Sequence, residues 1–200
     1  MSPMRWIVLA AVLALGSGEA AAEGAFIDIF AGVANPISDG EYTDNVDASF
    51  KAGARVGSRT EFGALEAQVD FTPVSSEDRP FVVDIDVARF RVQFGGRFEK
   101  KVTSTASLYV RALGGLDIVD VDGTVEVGPF RGTFEDTDLG LAIEIAGGFM
   151  VNLGKVSIGG VIALPMAFHF DEDDPDDNQD IDLEYTGVDL DLMFVLGIPL

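Results

Sequence analysis

The chain has no cysteine. An exported domain made from it has no disulfide to lean on, and a lipid-modified cysteine at a cleavage site is excluded with it. Tryptophan occurs once, at Trp6, so it is missing from everything beyond the N-terminal segment. After residue 24 no stretch carries a 3.6-residue apolar stripe, so the pattern offers no amphipathic helix. Positive charge is scarce: 13 Lys and Arg stand against 34 Asp and Glu, for a net charge of −21. Phosphate backbones are repelled by such a chain, which removes nucleic acid from the natural partners. Yet the mean hydropathy is +0.26. A chain at once so acidic and so apolar must keep its charges and its apolar groups on different surfaces.

The start of the chain addresses compartment. Arg5 is followed by an apolar run from Trp6 to Leu15, then by the small residues Ala20, Ala21 and Ala22. That order is the layout of a secretory signal peptide, and the run is too short to span a bilayer as a helix. Residues 1–22 are expected to be the signal peptide and residues 23–200 one exported domain.

From there on the period is two. In one stretch Leu141, Ile143, Ile145, Gly147, Phe149 and Val151 alternate with Ala142, Glu144, Ala146 and Gly148. The alternation predicts strands over about 25–34, 49–58, 62–72, 81–98, 105–119, 137–151, 155–170 and 184–198. Connections alternate in length. SRTE (58–61), EKKVTS (99–104) and NLGK (152–155) are short, whereas residues 35–49, 72–80, 121–136 and 171–182 form long loops. Short turns at one end and long loops at the other describe an up-and-down meander. Eight strands is an even number, as bacterial outer-membrane barrels require, and roughly ten residues per strand cross a bilayer when tilted.

Charge follows the same polarity. Asp39, Glu41, Asp44 and Asp47 lie in the first long loop, and residues 171–184 alone contribute −9. The short turns hold Arg59, Lys100, Lys101 and Lys155 against Glu61 and Glu99. One rim is intensely acidic and the other slightly basic.

Each strand has one large apolar face and one small or charged face. Parity alone does not say which points outward, but two features favour apolar-out. The polar face is crowded with Gly53, Gly57, Gly95, Gly115, Gly140, Gly148 and Gly159, which suits the narrow lumen of an eight-stranded barrel. Its charges also complement each other if each strand faces the one four further on. Arg89 and Arg91 then meet Asp189 and Asp191, Arg55 meets Glu144, and Asp28 meets Arg111, with Glu66 opposite small residues. Lys51, Arg97, Asp70 and Asp117 share the inward parity and keep the set near balance. Asp84 and Asp86 fall on the parity of outward Phe90, which calls for a bulge near Val87–Ala88 or for an upper half standing above the membrane.

On this pattern the chain resembles the eight-stranded outer-membrane barrel family of OmpA-like, OmpX-like and OmpW-like proteins. The last strand, YTGVDLDLMFVLGIPL, is similar to the C-terminal signal read by the outer-membrane insertion machinery, although it ends in Leu200 and carries Pro199. The resemblance implies an all-β, eight-stranded antiparallel up-and-down transmembrane β-barrel in the cell outer membrane. Lipid and the insertion machinery are its implied partners, and a monomer is expected. No periplasmic cell-wall-binding domain is implied.

Candidates for chemistry are few. DEDDPDDNQDID (171–182) places Asp171, Asp173, Asp176, Asn178 and Asp180 at spacings that could collect Ca²⁺ or Mg²⁺, but the EF-hand glycine is absent and a solvated loop is the plainer reading. His169 is the lone histidine and has no serine two residues on, so it reads as a rim residue rather than a catalytic one. No other cofactor is expected. The expectation is a non-enzymatic barrel with a charge-paired, largely closed lumen and acidic external loops. Two alternatives stay open: a narrow pore or OmpW-like conduit for small apolar molecules, and a soluble lipocalin-like barrel with its apolar face inside.

Overall fold

The computed structural model describes residues 24–37, 48–61, 63–74, 82–127, 130–170 and 183–200. The expected signal peptide and the acidic loop 171–182 lie outside the described residues. Eight strands follow in chain order: β1 (Ala25–Pro36), β2 (Ser49–Thr60), β3 (Gly63–Val74), β4 (Val82–Lys101), β5 (Ala106–Val127), β6 (Phe130–Asn152), β7 (Ser157–Phe170) and β8 (Leu183–Pro199). Each pairs antiparallel with its sequence neighbour, and β1 pairs with β8 from Phe26↔Pro199 to Pro36↔Asp189, closing the barrel. Closure leaves the barrel wall without a free edge.

The stagger can be followed from residue to residue. Ile27 pairs with Val56, then Ala67, Phe94, Gly114, Ile143, Met166 and Val188. The Val188 carbonyl accepts from the amide of Ile37, so one circuit returns to β1 ten residues higher (37 − 27). A shear of that size tilts the strands steeply against the barrel axis.

The apolar face is outside. Leu65, Phe98, Val110, Ile145, Phe149, Ile162 and Phe194 are each at least half exposed, while Lys51, Arg55, Gln93, Asp117, Glu144 and Asp191 are completely buried. Water-soluble proteins rarely bury so many charges or expose so continuous an apolar surface. A lipocalin-like barrel with its apolar face inside is therefore not the arrangement adopted.

The longest strands correct one expectation. Residues 121–127 and 130–136 are not loop but the upper parts of β5 and β6, with pairing that runs up to Val127↔Phe130. Val121, Val125 and Val127 continue the period of two begun at Val119, and only the charges between them hid it. The outer face explains those charges. Phe90, Ile118 and Leu139 form the last apolar row across β4, β5 and β6; in the next rows Ala88, Asp120 and Thr137, then Asp86, Asp122 and Glu135, occupy the paired positions. The register of β4 on β5 is regular from Asp84 to Lys101. No register shift falls at Val87–Ala88, where the sequence called for a bulge, and exposed Asp122 and Glu135 stand above the apolar belt.

Small residues make the tight packing of the wall possible. A Cβ built on Gly95 would stand 2.0 Å from the Ala112 carbonyl oxygen, and one on Gly115 would stand 2.0 Å from that of Val92. Neighbouring backbones cannot give way to relieve such contacts. Gly95→Val is expected to abolish most of the fast-migrating folded band on an unboiled gel. Gly114→Val, on the outer wall with no atom nearer than 4.0 Å to its added Cβ, leaves that band intact.

Candidate functional site

The inward side chains form three tiers of charge. At the short-turn end, Arg97 Nε lies 3.0 Å from Glu66 Oε1 and its Nη1 3.5 Å from Asp28 Oδ2, which also takes Arg55 Nη1 at 3.4 Å. Aromatic rings brace the cations: Arg97 Cζ is 4.4 Å from the centre of the Phe26 ring and 4.9 Å from that of Tyr109, and Arg55 lies over Phe30. Stacking of this kind holds a guanidinium flat while its edge meets a carboxylate.

The middle tier is built around Lys51 on β2. Its ammonium is 2.6 Å from Asp191 on β8, 3.3 Å from Asp70 on β3 and 3.8 Å from Glu144 on β6. One cation thus ties three strands across the lumen. Glu144 also pairs with Arg111. Gln68 Nε2 donates to Asp70 at 3.0 Å and lies 3.3 Å from Gln93 Oε1, knitting the uncharged side of the tier.

The upper tier is a square of two guanidiniums and two carboxylates. Arg89 meets Asp117 at 3.2 Å and Asp189 at 3.1 Å; Arg91 meets the same two acids, each at 3.1 Å. Above it, buried His169 places Nε2 3.1 Å from Asp117 and Nδ1 against Asp138. Gly140 admits the ring, since a Cβ there would stand 3.0 Å from two ring carbons.

All nine charges proposed from the sequence, namely Asp28, Arg55, Glu66, Arg89, Arg91, Arg111, Glu144, Asp189 and Asp191, are buried in this lumen. Their partners differ from the cross-barrel scheme in part. Arg89 and Arg91 do reach Asp189 on the opposite strand, but Asp191 goes to Lys51. Arg55 and Asp28 meet each other, although each was expected to pair across the barrel, and Glu144 takes Arg111 and Lys51. Adjacent strands are only about 4.8 Å apart, and the stagger shifts opposite strands to different heights, so near neighbours win most contacts. Lys51 as a hub and His169 as a bridge were missed. Inward parity was their signal, and His169 in particular is not an idle rim residue. Asp171, Asp173, Asp176, Asn178 and Asp180 lie outside the described residues.

No protein-family profile matches the sequence, and no curated protein matches it. Solved structures do match. Ail, the attachment invasion locus protein of Yersinia pestis, is similar at a TM-score of 0.53 and 13% identity over 89% of this chain and 99% of that one. Neisserial surface protein A is similar at a TM-score of 0.52 and 13% identity, over 88% and 97%. At such identity the likeness is one of fold. This chain is an eight-stranded antiparallel up-and-down β-barrel with the fold of the bacterial outer-membrane barrels.

Proposed function

We propose that the protein is a small, closed barrel of the outer membrane, without catalytic activity, whose role is structural or one of surface interaction. The exposed apolar belt around a lumen filled with paired charge is the observation that carries this reading. Hydrocarbon is the solvent that such a belt fits, and each inward charge is tolerable only with its partner. The short turns then face the periplasm, and the acidic rim, with the projecting β5–β6 hairpin, faces outward. The fold shared with a surface protein and an attachment protein supports a surface role. Membrane lipid surrounds a monomer in this reading, and the outer-membrane insertion machinery reads β8. The loop around Asp171–Asp180 needs no cofactor, although its acids suit loose Ca²⁺ or Mg²⁺ bridging to anionic headgroups.

The test uses the chain from residue 23, refolded with and without detergent micelles. A fast-migrating, heat-sensitive band that forms only with detergent is the expected result, together with no steady current in a planar bilayer. A folded monomer in plain buffer would refute the lipid-facing belt. Steady conductance would refute the closed lumen and favour the pore reading.

A further inference from the structure

The short-turn end of the lumen opens into a cup of about 230 Å³, lined by side chains from both ends of the barrel circuit. Two acids line it, and both are met by cations: Asp28 by Arg55 and Arg97, and Glu99 by Arg97 at 3.8 Å. Two further cations, Arg59 and Lys101, also line it, and among the described residues neither has a carboxylate within pairing distance. In a chain of net charge −21, two such cations in one concavity are a local inversion of sign.

The cup is also shaped. Gly57 lacks the Cβ that would stand 2.3 Å from Phe26 Cζ, so the Phe26 ring lies across β2 there. Arg59 Cζ rests 5.3 Å from the centre of that ring, and the Arg59 amide donates to the Gly24 carbonyl. Both contacts hold the guanidinium at the cup wall. Asn152 spends its side-chain oxygen on the Gly154 amide at 2.8 Å, which leaves its NH₂ as a donor. Ser107 and Ser157 add hydroxyls to the lining. Two cations, one of them braced on an aromatic ring, with a collar of neutral donors are what a phosphate or carboxylate group requires. A volume just under the ~300–1,000 Å³ of drug-sized pockets suits a small anion better than a large ligand.

We propose that this mouth is a binding cup for a small soluble oxyanion, a phosphate or carboxylate, gripped by Arg59 and Lys101. Its blind inner end rests on the closed-lumen reading; the anion contacts do not. The general negative field of the molecule weakens the approach of any anion, so binding is expected to be modest and sensitive to salt.

Inorganic phosphate titrated into the mature chain in zwitterionic micelles, at constant ionic strength with chloride as the balancing salt, tests this by amide NMR. Saturable shifts confined to residues 103–107, Asn152 and Ser157 are expected. Arg59→Gln and Lys101→Gln should each weaken binding about threefold and the double variant about tenfold, whereas Lys100→Gln, in the same turn but outside the cup, changes nothing. The heat-sensitive gel band confirms separately that each variant folds. Linear shifts that persist in the double variant, or equal loss with Lys100→Gln, would overturn the proposal as end-of-barrel electrostatics. Short-chain phosphatidylglycerol doped into the micelles is the second arm. Shifts at the cup with that lipid and none with phosphate would overturn the soluble occupant.

Discussion

Replacing Arg89 and Arg91 together by alanine is expected to lower the thermal midpoint of the barrel more than any substitution on its outer wall. The two guanidiniums share Asp117 and Asp189, with all four contacts between 3.1 and 3.2 Å. Asp117 is completely buried and Asp189 is 4% exposed, so the double variant strands charge in the lumen and opens a void beside it. Removing one partner of a buried pair costs about 3–5 kcal/mol, because an uncompensated charge is left behind. Either arginine alone still contacts both acids, so each single variant should cost less than half of the double. Interacting residues depart from additivity in this way. The midpoint is read by heating the detergent-folded chain and following the gel shift or the β-sheet circular dichroism. Adding Asp117→Asn and Asp189→Asn to the double variant should recover part of the loss. A double variant that keeps its midpoint would dispose of the plug as a stabilising device.

Lys51→Met is expected to have the second large effect, and to show it in conductance as well as in stability. The substitution keeps most of the side-chain volume and deletes only the ammonium. Asp70, Glu144 and Asp191 then lose the cation within 3.8 Å that joins them, although Arg111 still holds Glu144. A lumen tier dominated by carboxylates both repels itself and attracts small cations, the arrangement by which acidic rings select cations in channels. Planar bilayers should record brief cation-selective openings that are absent from the parent. Neutralising two of the acids, with Asp70→Asn and Asp191→Asn, should suppress the openings and restore stability together. Unchanged stability and silence in the bilayer would remove Lys51 from the centre of the plug.

Much of this architecture was legible from alternation alone. The eight strands lie where the period of two placed them, and all nine inward charges are in the lumen, because in a strand parity fixes the face that a residue occupies. Where the reading stopped short, charge interrupted a strand without ending it. Asp120 and Asp122 made residues 121–136 look like a loop, yet Val119 and Val121 keep the parity of Asp117 and the pairing runs on to Val127. A strand that leaves hydrocarbon for water can exchange its outward apolar residues for acids and keep its ladder.

Pairing among the charges was much less legible. Parity says that Arg55, Asp28 and Glu144 all point inward, but it is silent on their heights. Those heights depend on the shear of ten residues, which emerges only when β8 closes on β1. The sequence by itself determined the number of strands and the shared parity of the inward charges, since these follow from local period. Only the closed structure decided which charge meets which, made Lys51 a hub and lodged His169 between two acids. Those contacts join residues as far apart in the chain as Lys51 and Asp191, and their distance is set by the stagger of the whole barrel.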